Sequence, residues 1–116
     1  MENKYLLSLD GGGVREVATV IFLSKLEKAL GTPLYKKFDF FVGTSAGAIT
    51  AMALSIAKMS GDNLLEFWSE ETFEKILDAS LWDSKLGLMQ TNPKYDGKGK
   101  KQVLNEYFGD LKLGDA

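Results

Sequence analysis

Ser45 stands in Gly43-Thr44-Ser45-Ala46-Gly47, a hydroxyl nucleophile candidate held between two glycines. Where such a pentapeptide joins a strand to a helix, it forms a sharp corner that presents the serine for attack. The flanking residues fit that setting: Phe38 to Val42 reads as a short apolar strand, and Ala46 to Met59 as an apolar helix. A residue at such a corner often holds a strained backbone, and small neighbours let strand and helix approach closely. Gly43 and Gly47 also spell G-x-x-x-G, the contact pattern of paired membrane helices. That reading fails on Asp39 within the run. It fails on length too, since about 14 apolar residues fall short of the roughly 18 to 20 that a span needs.

A second constellation lies upstream. Asp10-Gly11-Gly12-Gly13-Val14-Arg15 follows the apolar run Tyr5 to Leu9 and leads into a helical pattern. Strand, glycine loop and helix N-terminus together present backbone N–H groups with no partner of their own, which suits an anion. The anion is either a nucleotide phosphate or the oxyanion formed when a nucleophile attacks an ester carbonyl. The dinucleotide pattern G-x-G-x-x-G fails at Glu16, and no Gly-Lys-Ser/Thr follows for a phosphate loop. Ser45 favours the oxyanion, because such a hole is needed only beside a nucleophile. The plainer alternative is a glycine turn with no ligand.

The chain contains no histidine, so the base for Ser45 must be a carboxylate or a lysine. A Ser-His-Asp triad is excluded for these residues acting alone. Cysteine is also absent, which removes disulfides and thiolate metal sites, and no metal or cofactor is expected.

The elements that position these groups follow from the pattern. Tyr5 to Leu9 reads as a buried strand. Glu16 to Leu30 reads as a helix, with Val17, Val20, Ile21, Leu26 and Leu30 inward and Lys25, Glu27 and Lys28 outward. Gly31 caps it and Pro33 prevents continuation. Ser60 to Asn63 reads as a turn and Leu64 to Leu77 as an amphipathic helix whose Glu66, Glu70, Glu71 and Glu74 form a solvated face. Asp78 to Gly99 lacks a period and carries Leu81, Trp82, Leu86, Leu88 and Met89, so it is either a lid or a packed irregular connection. Lys100 to Phe108 is a last helix, ended by Gly109.

Two strand-to-helix units in succession predict an α/β fold, a parallel sheet with flanking helices. The 116 residues allow at most one domain, and two strands are too few to bury a sheet's edges. The chain is therefore expected to be the N-terminal part of a larger catalytic domain. Its net charge of −2 offers no basic footprint for nucleic acid. The N-terminus has too short an apolar run for a signal peptide, which points to the cytoplasm.

Three segments together resemble one family: LSLDGGGVR at residues 7–15, FVGTSAGAI at 41–49, and YDGKGKKQVLNEYFGDLKLGD at 95–115. The chain is similar to the patatin-like phospholipases, lipid acyl hydrolases on a three-layer α/β/α sheet. The resemblance implies a Ser-Asp dyad, which accounts for the missing histidine. By it Ser45 is the nucleophile, Gly11, Gly12 and Gly13 supply oxyanion N–H groups, and Arg15 orders their loop. The substrate would be a phospholipid or other fatty-acyl ester, met through peripheral membrane contact. The family usually has glycine where Glu16 stands, so Glu16 is expected to point outward as a tolerated surface change. The family's dyad Asp lies in a later Asp-Gly-Gly/Ala segment, beyond Ala116. Asp96-Gly97-Lys98 comes too early and has the wrong third residue. No base is assigned within the chain, and the isolated segment is expected to be inactive. The alternative is a non-catalytic module that holds a phosphate or lipid headgroup, or docks on a protein through its sheet edges.

Overall fold

A computed structural model describes residues 3–72 and 98–116. Its core is a parallel pair, β1 (Leu6–Leu9) and β2 (Phe40–Gly43), in the register Leu6 to Phe40 and Leu9 to Gly43. A turn of 3-10 helix (Gly13–Arg15), α1 (Glu16–Leu30) and the short α2 (Leu34–Lys37) connect them. After β2 come α3 (Ala46–Ser55), α4 (Gly61–Phe67) and α5 (Lys98–Phe108), then a 3-10 turn at Leu113–Asp115. The mixed α/β architecture with a parallel sheet agrees with the sequence reading.

Alternation along the strands sorts their side chains onto two faces. Leu7, Leu9 and Phe41 face the core, where α3 packs on both strands and α1 on α4. Val20, Leu23, Leu34, Leu54, Leu64 and Phe67 are sealed inside it. Phe67 anchors the far side edge-on to Trp68 and Tyr107, at centroid distances of 5.1 and 4.6 Å. The opposite sheet face is open: Leu6 is 57% exposed and Phe40 61%. No described helix is long and apolar enough to cross a membrane.

Several boundaries differ from expectation for local reasons. β1 starts at Leu6: Tyr5 N–H turns to Asp39 Oδ2 (2.9 Å), while Tyr5 O still accepts the Asp39 and Phe40 N–H groups. Pro33 does more than end α1: it sits at the N-cap of α2, an unexpected helix that absorbs Phe38 as its C-cap and delays β2 to Phe40. α3 stops at Ser55 rather than Met59, and Lys58 adopts a left-handed φ of 53°. The expected turn Ser60 to Asn63 is the start of α4, with Ser60 Oγ accepting the Asn63 N–H. α4 ends at Phe67, short of the expected Leu77. Residues 73–97, which include most of the proposed lid, lie outside the described residues. α5 begins at Lys98, two residues early.

The α1 faces also need correction. Ile21 and Leu30 are exposed, whereas Leu23 and Ser24 are buried. Glu27, expected outward, accepts the Leu34 N–H at Oε2 (3.2 Å) and the Gly61 N–H at Oε1 (3.0 Å). One carboxylate thus receives a donor from the start of α2 and another from the start of α4. Gly61 sits so close to α1 that a Cβ there would lie 2.5 Å from Ser24 Cα. Glu27→Ala leaves two partly buried N–H groups without acceptors, so it is expected to lower stability by about 2 kcal/mol. Denaturant midpoints measure this. A change no larger than that of the exposed Lys25→Ala would show that Glu27 does not tie α2 and α4 to α1.

Candidate active site

Because β1 and β2 run in parallel and end in register at Leu9 and Gly43, the loops that follow them leave the same edge. Ligands in open α/β sheets bind at this end. Thr44 N–H continues the ladder by donating to Leu9 O at 3.1 Å. Thr44 Oγ1 then accepts the Gly11 N–H, also at 3.1 Å. A Cβ on Gly11 would stand 2.7 Å from Ser45 Cβ, so the glycine loop lies directly against the serine.

Ser45 has φ 52° and ψ −126°, a conformation that costs any residue but glycine. It is the N-cap of α3, yet its side chain caps nothing and is exposed. The corner is held by what packs around it. A Cβ on Gly43 would strike the backbone of Gly47, and one on Gly47 would strike the Leu9 carbonyl. Those two positions must be glycine for α3 to start this close to both strands. Gly47 N–H donates to Thr44 O, and Ala48 and Ile49 N–H to Ser45 O.

In the upstream loop Gly13 takes a left-handed φ of 58° and opens the 3-10 turn, with Arg15 N–H donating to Gly12 O at 3.1 Å. Arg15 lies over Gly12, its Cβ 3.3 Å from where a Gly12 Cβ would be. Gly11 N–H is engaged by Thr44. Among the described residues, the N–H groups of Gly12, Gly13 and Ala46 have no acceptor. Nor does any carboxylate there hydrogen-bond Ser45 Oγ; Asp10 is exposed on the loop. The fold thus brings together Gly11, Gly12, Gly13, Arg15, Gly43, Ser45 and Gly47 at one edge.

A family model described as patatin-like phospholipase matches residues 7–116. The chain belongs to the patatin-like phospholipase family. It is 36% identical over 111 residues to a cGAMP-activated phospholipase of Pseudomonas aeruginosa, covering 96% of this chain and 33% of that one. Phospholipase A I of Arabidopsis thaliana is 30% identical over 118 residues, 92% of this chain and 9% of its own length. A cUMP-AMP-activated phospholipase of Escherichia coli is 47% identical over 51 residues, 44% of this chain and 16% of its own length. The chain therefore spans a third or less of the length of these relatives. No solved structure matches it significantly.

Glu16 departs most from the sequence reading. It is not a surface residue: it is 1% exposed, at the first position of α1. Its Oε1 lies 2.7 Å from Thr50 Oγ1, which accepts the Trp68 Nε1–H at 2.9 Å and lies 3.1 Å from Ala46 O. Its Oε2 is buried without a partner among the described residues. Burial pushes its carboxyl above the usual glutamate range, with the Thr50 contact opposing. The sequence reading gave Thr44, Thr50 and Trp68 no role in the site. The available signal was Thr50, a hydroxyl inside an apolar helix one turn after Ala46.

If the elbow is strained as its dihedrals indicate, glycine should relieve it. Strain of this kind is about 1–3 kcal/mol, and glycine's added freedom in the unfolded chain returns roughly 0.5–1 kcal/mol. Ser45→Gly is expected to raise the denaturant midpoint, by an amount equivalent to about 1 kcal/mol. Ser45→Ala, which keeps the strain, is expected to leave the midpoint near wild type. A lower midpoint for the glycine variant than for the alanine variant would mean a relaxed corner.

Proposed function

We propose that this chain carries the nucleophile and oxyanion loop of a lipid acyl hydrolase. The observation that carries the reading is the exposed, strained Ser45 set against the Gly11–Gly13 loop at the carboxyl end of the sheet. Family membership supports the substrate class, a phospholipid or related fatty-acyl ester. Ser45 Oγ attacks the ester carbonyl carbon while a base takes its proton, and the carbonyl oxygen becomes an oxyanion. Gly12 and Gly13 N–H groups receive that charge, and Gly11 holds the loop on the elbow through Thr44. Such donors stabilise charge only as it develops, which lowers the barrier instead of tightening substrate binding. Collapse expels the alcohol, which takes up the proton, and leaves an acyl-serine. Water then attacks that ester and releases the fatty acid.

The base is an aspartate, as the resemblance implies, and no described carboxylate hydrogen-bonds Ser45. The enzyme meets its substrate at a membrane surface from the cytoplasmic side. A fluorophosphonate ester tests the reading in the full-length protein. Ser45 should be the labelled residue, and Ser45→Ala should lose labelling and lipid hydrolysis by at least about a thousandfold. The assay is run with and without cGAMP and cUMP-AMP, since two relatives are named as phospholipases activated by these nucleotides. Hydrolysis that persists in Ser45→Ala would remove the nucleophile assignment. Saturable phospholipid-vesicle binding without any labelling would favour a non-catalytic lipid-binding module.

A further inference from the structure

Glu16 joins the two halves of the site by backbone and side chain. Its N–H donates to Gly13 O and Val14 O, so its main chain closes the turn that ends the glycine loop. Its carboxyl reaches Thr50, one turn into the helix that begins at the nucleophile. Thr50 Oγ1 in turn lies within hydrogen-bond distance of Ala46 O, the carbonyl of the residue after Ser45. Trp68, just past α4, donates to the same oxygen.

Counting protons decides the state of this cluster. Thr50 has one hydroxyl hydrogen and two acceptors in range, Glu16 Oε1 and Ala46 O. If Glu16 were ionised, that hydrogen would go to Oε1, and Oε2 would remain a buried anionic oxygen with no donor. A buried charge without compensation is among the costliest arrangements in a protein interior. If Glu16 is neutral, its Oε1–H donates to Thr50 Oγ1, which also accepts from Trp68, and the Thr50 hydroxyl donates to Ala46 O. Every hydrogen then has an acceptor, and only a neutral carbonyl oxygen lacks a donor.

Among the described residues, no charged group offsets this. α3 contains no titratable side chain between Ala46 and Ser55. The glycine loop bears Asp10 and Arg15, both exposed, and around Trp68 the carboxylates Glu66, Glu70 and Glu71 are exposed. Among the described residues, the Glu16 carboxyl hydrogen-bonds to Thr50.

We propose that Glu16 is a positioning residue, held as the neutral acid, whose proton locks the glycine loop to the first turn of the Ser45 helix through Thr50. The inference rests on Ser45 being the nucleophile. Its consequence is a limit on activity as pH rises through the titration of this carboxyl. An acid stabilised in its neutral form by folding contributes most below the unfolded glutamate value and loses that contribution as pH rises through the raised folded value. Above it, the ionised Oε2 must find solvent or a donor, the bond to Thr50 reverses, and Ala46 O loses its hydroxyl donor.

The full-length protein tests this by the rate of fluorophosphonate labelling against pH, beside infrared detection of a protonated carboxyl. Wild type should show a neutral-carboxyl band that Glu16→Gln removes, and labelling that falls by about tenfold along the limb where rising pH removes that band. Glu16→Gln keeps a donor at this position and should label within about threefold of wild type at neutral pH with the limb abolished. Thr50→Val should slow labelling by about tenfold below the limb, leaving the rate that wild type falls to above it, and Thr50→Ser should restore it. A limb unchanged in Glu16→Gln, or a Glu16 already ionised where labelling is full, overturns the inference while leaving Ser45 in place. Hydrolysis that survives in Ser45→Ala overturns the nucleophile and this inference together.

Discussion

The site depends on one hydrogen-bonded register. Leu9 and Gly43 are partners at the end of a parallel ladder, and Thr44 N–H extends it by one more bond to Leu9 O. A parallel pair aims both chain exits the same way, so the glycine loop and the serine corner emerge side by side. An antiparallel pair with the same sequences would place them at opposite ends. Thr44 then secures the arrangement twice, through its main chain to Leu9 and through its hydroxyl to Gly11. Gly43 and Gly47 are the steric condition for the same geometry, since a methyl at either position would push α3 away from the strand ends.

Much of this was legible because local rules dominate there. Gly-x-Ser-x-Gly between an apolar strand and an apolar helix requires a corner, and the α1 limits, Glu16 to Leu30, follow from periodicity and the left-handed cap at Gly31. What escaped was set by neighbours distant in sequence. Glu27 shares its helical stretch with Lys25 and Lys28, and nothing local reveals that two helix starts 7 and 34 residues away would converge on it. Glu16 is a favourable first-turn residue on any helix. Its burial depends on Thr50 and Trp68, which come close only once α3 and α4 have packed. Ile21 and Leu30 were assigned inward because they are apolar, although the described core presses on Val20, Leu23 and Ser24 instead.

The two faces of the sheet differ in kind. One is closed by α3 and carries Leu7, Leu9 and Phe41 into the core. The other presents Leu6, Phe40 and Val42 to solvent, in adjacent register across the ladder. The family's α/β/α arrangement has a helical layer on each side of its sheet, and among the described residues only one side is covered. The polar cluster of Glu16, Thr50 and Trp68 lies on the covered side, shielded from water by the same packing that fixes the loop beside Ser45.

The register has a kinetic meaning as well. Leu6 and Phe40 are 34 positions apart, so the ladder closes only after α1 and α2 have brought its ends together. Contacts of that span form late, because the entropy of closing the loop is lost before the pairing can offset it. Neither the glycine loop nor the serine corner holds its shape without that ladder. A newly made or partly unfolded chain therefore carries the residues of both loops and none of their geometry, and the Ser45 corner takes shape only as the sheet zips shut.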